Sequence, residues 1–190
     1  MRVKSVGIVG CGAIGKALLT AVEDGTLAIN IAGVTSRTEK TARELLASFR
    51  NAPPYLSLDE LIAASDLVIE AAGGEVVPSL AQKVFAAGKD LMVISVGALL
   101  EHPEIMENSR KTGCRLYCPS GAIAGLDGIK SASVGAIRHV THTTRKPPRG
   151  LEGAPYLLNA ASRCWACKKK KRSFPDPRAK RVAGFPLTST

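Results

Sequence analysis

Short apolar runs alternate with amphipathic segments along the first 120 residues of the chain. The apolar runs are rich in Val, Ile and Leu and predict five β-strands, at 3–9, 28–35, 67–71, 91–96 and 115–118. The other segments predict five helices, at 13–24, 38–49, 58–64, 76–87 and 102–112. Gly88 and Gly113 lie where helix C-termini commonly carry glycine. Because strand and helix patterns alternate, we expect an α/β fold with a parallel sheet and helices on both faces.

The pattern changes near Gly121. A glycine-rich stretch at 120–128 leads into a helix that is expected to reach about Ser133. Residues 135–146 contain many β-branched side chains and predict a strand that ends at the two prolines that follow. We therefore expect a doubly wound domain at 1–120, the start of an incomplete α+β second domain at 121–158, and a tail at 159–190.

Bulk composition places the chain among globular proteins. Hydrophobic residues make up 45% of it and the mean hydropathy is +0.08. No apolar run approaches the ~20 residues that cross a bilayer, so we expect no membrane partner. A predicted strand begins almost at the N-terminus, which leaves no signal peptide. We therefore expect a cytoplasmic protein whose five cysteines are reduced.

The net charge of +10 is concentrated in the tail. Residues 163–182 carry nine lysines and arginines against Asp176, a local charge of +8. The basic run at 168–172 could bind nucleic acid, but only Trp165 lies near it and no aromatic array accompanies it. We expect a solvated, disordered charge run and no specific nucleic-acid partner.

The sequence Gly-Cys-Gly-Ala-Ile-Gly at 10–15 follows the first predicted strand and precedes the first predicted helix. In this context GxGxxG indicates a dinucleotide site rather than a structural turn. Gly10 permits the tight turn, Gly12 lets a pyrophosphate approach the backbone, and Gly15 lets the helix pack on the strand. The amides of Ala13 and Ile14 would open a helix whose N-terminal dipole favours an anion. We expect a Rossmann domain that binds NAD or NADP.

The residues after the second predicted strand bear on the choice between the two cofactors. Proteins that use NAD usually place an acid there to bind the ribose, whereas this chain has none before Glu39. Arg37 could stack on the adenine and pair with a 2′-phosphate, with Ser36 and Thr38 donating hydrogen bonds. The alternative is an exposed loop arginine. This feature favours the use of NADP, alone or alongside NAD.

Two later predicted strands lead into small residues, at 70–73 and 95–98. Ligands of doubly wound sheets bind outside the carboxyl ends of the strands. Ala71, Ala72 and Gly97 are therefore candidate contacts of a nicotinamide ribose. Small residues also suit ordinary strand-to-helix turns, and only the combination with the glycine turn favours binding.

Several of these stretches resemble the L-aspartate dehydrogenase family. The matching segments are 8–15, 68–72, 93–99, 119–127, 145–148 and 153–157. The first is shared by many dehydrogenases, whereas Pro-Ser-Gly-Ala-Ile at 119–123 and Arg-Lys-Pro-Pro at 145–148 are more particular. The resemblance carried by these motifs covers about residues 1–158.

The resemblance implies an NAD(P)-dependent oxidoreductase with L-aspartate and oxaloacetate as its small-molecule substrates. Members of the family reversibly convert L-aspartate to iminoaspartate, which hydrolyses to oxaloacetate and ammonia and can feed NAD biosynthesis. By the same resemblance Ala122 would lie against the cofactor. The full-length protein would be a homodimer.

The family's acid/base histidine has no counterpart in the chain. The family carries it in an Asn-x-His stretch, after an Asn-x-Asn-Val stretch that contacts the cofactor, and neither motif occurs here. His102 opens a predicted surface helix, while His139 and His142 fall on opposite faces of the predicted 135–146 strand. We therefore assign no catalytic residue and expect dinucleotide binding with little or no turnover.

The family pattern breaks after position 158 and returns briefly at 178–179 and 182–186. The family continues from Phe-Pro into Ala-Asn-Val-Asn, and codons for those residues read one nucleotide later can give the Leu-Thr-Ser-Thr of 187–190. Four consecutive lysines also imply an adenine-rich tract in which reading slips occur. We expect a frameshifted tail on a C-terminally truncated member of the family.

Three other interpretations stay open at this point. Cys114, Cys118, Cys164 and Cys167 could form a zinc site, but buried or incidental thiols account for them better, and we assign no metal. Another two-domain dehydrogenase, similar to dihydrodipicolinate reductase or homoserine dehydrogenase, would share the glycine turn. A dinucleotide-binding domain without catalysis would share it too.

Overall fold

A computed structural model describes residues 5–121, 123–141 and 147. The chain forms two compact units, residues 1–124 and residues 125–190. The strands of the first unit are β1 (Ser5–Val9), β2 (Asn30–Thr35), β3 (Leu67–Glu70), β4 (Asp90–Val93) and β5 (Leu116–Tyr117). Its helices are α1 (Ala13–Glu23), α2 (Glu39–Leu46), α3 (Leu58–Ala64), α4 (Val77–Ala86), α5 (Ala98–Glu101) and α6 (Glu104–Thr112), with a 3-10 turn at Gly74–Val76. The second unit contains α7 (Leu126–Ala132).

The five strands form one parallel sheet in the order β2-β1-β3-β4-β5. The chain therefore winds outward from β1 in both directions. In the register, Ile8 of β1 lies beside Val34 of β2 and Ile69 of β3. The predicted doubly wound parallel fold is confirmed, and its topological switch point lies at the carboxyl end of β1.

The sheet is covered on both faces, and neighbouring residues of β1 belong to different cores. Val9 belongs to a cluster that includes Phe85 of α4. Ile8 packs instead with Leu19 of α1 and Leu46 of α2. Because successive strand residues point to opposite faces, one short strand contributes to two hydrophobic cores. This double burial explains why the strands are continuous apolar runs in the sequence.

One residue extends the sheet beyond β2. Tyr55 forms an isolated parallel bridge with Val34. The bridge consists of two hydrogen bonds on either side of Tyr55: the Val34 N–H donates to the Pro54 oxygen at 2.9 Å, and the Val34 oxygen accepts from the Leu56 N–H at 3.0 Å. In a doubly wound fold of two halves, the outer strand of the first half occupies this position. Proline cannot donate to a ladder, which conceals this strand remnant from a sequence pattern.

The helix predicted at 102–112 begins two residues late. Pro103 disfavours helical backbone at the residue before it, so His102 has φ −128° and α6 starts after the proline. The expectation that His102 opens a helix is therefore wrong. It is the C-cap of the short helix α5, which the sequence did not predict.

The described part of the second unit covers residues 125–141 and 147. α7 follows Gly125, which has a left-handed φ of +83°, and ends one residue before Ser133 as the pattern predicted. Residues 135–141 form no strand, so the predicted strand is wrong over that part. A strand needs a paired neighbour for its backbone groups, and 125–141 contains none. The remainder of that strand, 142–146, and the tail at 159–190 lie outside the described residues.

A capping box starts α3. The Ser57 oxygen accepts a hydrogen bond from the Glu60 N–H at 3.4 Å, and the Glu60 carboxylate accepts from the Ser57 N–H at 2.9 Å. The Ser57 hydroxyl also donates to that carboxylate at 2.6 Å, and these bonds lower the pKa of Glu60. Thr38 is the N-cap of α2 but makes no side-chain capping bond.

Ser57→Ala is expected to lower the free energy of unfolding by about 1 kcal/mol, because the first turn of α3 loses its acceptor. Thr38→Ala is the matched control and should change it by less than about 0.5 kcal/mol. The two values come from urea denaturation followed by circular dichroism. The Ser57→Ala effect should shrink as the pH falls through the pKa of Glu60, since a carboxyl with a lowered pKa stabilises the fold only while ionised. An equal decrease in the free energy of unfolding of Ser57→Ala and Thr38→Ala would contradict the capping role of Ser57.

Candidate cofactor-binding cleft

A cleft with a volume of about 840 Å³ opens at the carboxyl ends of β1, β2 and β3. The residues that follow these strands line it, at 9–12, 35–38 and 71–76. Side chains from the neighbouring helices complete it: Thr41, Leu58, Ser79 and Leu80. The cleft lies at the switch point of the sheet, where open α/β sheets bind their ligands.

Gly10 and Gly15 are required by close packing. Gly10 has φ +114°, and a Cβ there would lie inside 3.0 Å of the Ala71 backbone. A Cβ on Gly15 would overlap the Gly10 carbonyl oxygen. The Gly10 N–H donates to the Thr35 oxygen and the Ala71 N–H to the Val9 oxygen, both at 2.8 Å. The glycine turn thus joins three strand ends with no side chain between them.

Gly12 faces open space instead. A Cβ added there would meet no atom within 4 Å, and its φ of −76° is ordinary. Gly12 is the N-cap of α1, where no side chain caps the helix and no acid occupies the first turn. The amides of Ala13 and Ile14 therefore have no side-chain acceptor. An open approach above such amides suits a phosphate.

On one side of the glycine turn, the residues after β2 present a cation and hydroxyl groups. The Tyr55 hydroxyl donates to the Ser36 carbonyl oxygen at 3.1 Å and holds this loop. Arg37 is exposed, and it has no hydrogen-bond or ion-pair partner among the residues that the structure describes. The first acid after β2 is Glu39, and its carboxylate accepts from Arg43 Nε at 2.7 Å. No free carboxylate therefore follows β2 at the ribose-reading position.

On the other side, a buried carboxylate joins two loops. Glu70 is fully buried. Its Oε1 accepts from the N–H groups of Ala72 and Gly73, each at 2.8 Å, and from Ser95 Oγ at 3.0 Å, while its Oε2 accepts from the Ser95 N–H at 2.9 Å. Because Ser95 turns toward this carboxylate rather than toward a strand, β4 ends at Val93. The predicted strand end at 96 is wrong for this reason.

Cys11 lines the cleft beside Ser36. Partial burial raises the pKa of its thiol, and the hydrogen bond with Ser36 opposes this to a smaller extent. The thiol is therefore neutral at pH 7 and adds no negative charge where a phosphate would lie.

Most of the predicted cofactor contacts lie at this cleft. Those that line it are Gly10, Gly12, Ser36, Arg37, Ala71 and Ala72. Ala13, Ile14 and Gly15 form the first turn of α1, directly after Gly12. Gly97 is the N-cap of α5 and is not among the lining residues. Ala122 lies outside the described residues.

The described histidines make local contacts. His102 Nδ1 lies 3.0 Å from Glu104 Oε1 at the surface, and His102 does not line the cleft. His139 Nε2 lies 2.8 Å from Thr141 Oγ1, in a segment without strand structure. The expected placement on opposite sheet faces does not hold for His139, and His142 lies outside the described residues.

No cluster of three or more His, Cys, Asp or Glu that could hold a metal ion occurs in the described ranges. Cys114 is partly buried and Cys118 is exposed, both as free thiols. Cys164 and Cys167 lie outside those ranges. Within the same ranges, no helix is long and apolar enough to cross a membrane.

Sequence reasoning missed two residues that shape the cleft. The signal for Glu70 was present, since an acid at the end of an apolar buried strand must find several donors. Tyr55 gave no signal, because its bond to Ser36 joins segments 19 residues apart. Only the folded chain shows that contact.

Comparison with known proteins agrees with this geometry. A family model described as the NAD binding domain of homoserine dehydrogenase matches residues 10–119. The L-aspartate dehydrogenase of Methanosarcina acetivorans is 38% identical over 186 residues, which cover 95% of this chain and 68% of that protein. The L-aspartate dehydrogenase of Methanothermobacter thermautotrophicus is 41% identical over 155 residues, or 80% of this chain and 60% of that protein.

Solved structures show the same fold. The WlbA dehydrogenase from Bordetella pertussis, in complex with NADH and UDP-GlcNAcA, matches with a TM-score of 0.55 and 21% identity. The match covers 70% of this chain and 43% of that one. At this identity the likeness shows the Rossmann fold alone, and the chain spans less than half of that structure.

The alignment with the Methanosarcina acetivorans protein also extends beyond the motifs. Since it covers 95% of this chain, it includes most of residues 159–190. The similarity therefore continues past position 158, where the recognisable motifs end. The glycine turn, the doubly wound sheet and these relatives agree: the chain belongs to the L-aspartate dehydrogenase family, and its residues 10–119 match an NAD-binding domain.

Proposed function

We propose that the cleft binds NAD(P) across the carboxyl ends of β2, β1 and β3. The open approach at Gly12, beside the uncapped start of α1, carries this proposal. A pyrophosphate there would accept hydrogen bonds from the first-turn amides of Ala13 and Ile14. Because a dinucleotide crosses the switch point, its adenosine half would lie toward Arg37 and its nicotinamide half toward Ala72.

The reaction that we propose for a full-length member of the family is the reversible oxidative deamination of L-aspartate, whereas this chain lacks the family's Asn-x-His stretch and would bind the cofactor with little or no turnover. The Cα–N bond of aspartate is oxidised to an imine, and water then releases oxaloacetate and ammonia. When bound, NAD(P)⁺ supplies the hydride acceptor. The described residues at the cleft would bind and orient it, and the imine formed in this way could feed NAD biosynthesis.

The residues after β2 favour NADP as an accepted cofactor. Arg37 presents a guanidinium without a described protein partner, beside the hydroxyls of Ser36 and Thr38. Guanidinium groups match phosphate geometry with paired hydrogen bonds. Residues 35–38, which line the cleft after β2, include no carboxylate that would repel a 2′-phosphate, and the next residue, Glu39, forms an ion pair with Arg43.

The remaining assignments rest mainly on the family resemblance. Residues 1–120 would be the dinucleotide-binding domain and 121–158 the start of the substrate domain, with Gly97 and Ala122 as further contacts of the nicotinamide half. The full-length protein would be a cytoplasmic homodimer without a membrane or specific nucleic-acid partner. The free thiols of Cys11, Cys114 and Cys118 fit a reducing compartment.

Titration of the 190-residue chain with NADPH and with NADH is expected to give saturable changes in nicotinamide fluorescence. Adding oxaloacetate and ammonium should then produce little or no oxidation, because the sequence lacks the family's Asn-x-His stretch. A lack of saturation with both cofactors would overturn the proposed function. Oxidation would show that the chain holds an acid or base able to transfer the proton, and the three histidines are the first candidates for substitution. Turnover of homoserine or glutamate instead would favour a different dehydrogenase.

Arg37→Ala should weaken NADPH binding about tenfold, through loss of a charged contact to the 2′-phosphate, and change NADH binding by less than about twofold. Lys40→Ala is the matched control, since Lys40 is exposed nearby but does not line the cleft. Dissociation constants from fluorescence titration measure both effects. An equal loss for the two cofactors would contradict the proposed 2′-phosphate contact.

Gly12→Ala should weaken the binding of both NADPH and NADH at least about tenfold, because its methyl group would lie where the pyrophosphate approaches. Its melting temperature should stay within about 2 °C of the parent, since that methyl group meets no protein atom. Gly10→Ala provides the contrast and should lower the melting temperature strongly, because its Cβ collides with the Ala71 backbone. Unchanged cofactor affinity in Gly12→Ala would argue against a pyrophosphate at this turn.

A further inference from the structure

Glu70 is the one fully buried acid in the described part of the chain. No lysine or arginine of that part forms an ion pair with it. Four N–H and O–H donors satisfy its carboxylate instead. Burying a charge is costly, and an apolar side chain of similar size often stabilises a fold at least as well. Stability of the core alone therefore does not account for a carboxylate here.

The four donors come from two loops, and the other described hydrogen bond at this junction is from the Ile94 N–H to the Glu70 carbonyl oxygen at 3.1 Å. Ala72 and Gly73 belong to the loop after β3, and both line the cleft. Ser95 belongs to the loop after β4, and it donates both its N–H and its hydroxyl. One carboxylate thus fixes the position of each loop relative to the other. Gly73 has a left-handed φ of +122°, so that bond also holds an unusual backbone turn in place.

The opposite side of the cleft has an anchor of its own. There the Tyr55 hydroxyl holds the Ser36 carbonyl, and nothing in that contact involves Glu70. The two halves of a dinucleotide would therefore lie on loops that are positioned independently. A substitution of Glu70 should therefore weaken the binding of the nicotinamide half of the ligand and leave the binding of the adenosine half unchanged.

We infer that Glu70 is a positioning residue for the nicotinamide half of the cofactor, acting without touching the ligand through the cleft-lining loop at 71–73, which it ties to Ser95 of the loop after β4. This inference rests on the proposed function, because it takes the cleft to be a dinucleotide site. The carboxylate presents the backbone of both loops at fixed positions. In Glu70→Gln one oxygen becomes an NH₂ group, which faces N–H donors and cannot accept from them.

The test compares a whole dinucleotide with its adenosine half. Dissociation constants are measured for NADPH and for adenosine 2′,5′-bisphosphate, and again for NADH and 5′-AMP, on the full chain and on Glu70→Gln. The variant should bind the dinucleotides about tenfold more weakly, as expected for loss of a buried charged hydrogen bond. Its affinity for the two adenosine nucleotides should change by less than about twofold.

Ser95→Ala gives a gentler version of the same test. It removes the hydroxyl that donates to Glu70 and leaves the carboxylate and the three backbone donors in place. Dinucleotide affinity should fall by about threefold, with adenosine nucleotide affinity unchanged. If Glu70→Gln does not yield folded protein, this variant decides the question.

Ser109→Ala is the control for a general loss of stability. Ser109 is buried in α6, away from the cleft, and donates to the Cys114 carbonyl at 2.8 Å. The substitution should lower the melting temperature without changing the ratio of dinucleotide affinity to adenosine nucleotide affinity. The inference would be overturned if Glu70→Gln and Ser95→Ala left the ratio of dinucleotide affinity to adenosine nucleotide affinity unchanged, whether neither affinity fell or both fell equally. If the parent chain binds neither dinucleotide, the proposed function itself fails.

Discussion

The chain crosses itself at Gly10 with no side chain in between, and the arrangement of the cleft depends on that crossing. Three backbone segments meet there: the turn after β1, the start of the loop after β3, and the first turn of α1. Gly10 has no room for a Cβ against Ala71, and Gly15 has none against Gly10. The Gly10 N–H donates to the Thr35 oxygen and the Ala71 N–H donates to the Val9 oxygen, each at 2.8 Å, and these two bonds complete the junction. A side chain at either glycine would push the strand ends apart and with them the walls of the cleft.

Around this rigid centre, two different polar contacts hold the two sides of the cleft. On the side of β2 a neutral hydroxyl, that of Tyr55, supports one carbonyl. On the side of β3 the Glu70 carboxylate accepts four hydrogen bonds in a fully buried position. Hydrogen bonds to a charged group are stronger than neutral ones, typically ~1.5–3 kcal/mol against ~1. The hydrogen bonds that join the loops after β3 and β4 are consequently stronger than the bond that supports the loop after β2.

The sequence allowed prediction of the features that depend on periodicity and on glycine. The five strands, the sheet type and the glycine turn follow from short apolar runs and from Gly10, Gly12 and Gly15 in their context. The features that sequence could not supply depend on contacts between distant segments. Ser95 leaves the sheet early because of Glu70, and Tyr55 adds a bridge to β2 from a segment that contains two prolines. The strand expected from position 135 illustrates the same limit, since β-branched residues form a strand only where a partner is present.

Among the described residues, those that line the cleft and the histidines are different residues. The cleft is built within residues 5–121, on two hydrophobic cores and with every buried side-chain polar atom of the described residues satisfied. Deamination also needs an acid or base near the substrate amine. His102 is the sole histidine in that stretch, and it contacts Glu104 at the surface instead of lining the cleft. The first unit thus has the residues to hold a dinucleotide, and the one histidine of that stretch does not lie at the cleft.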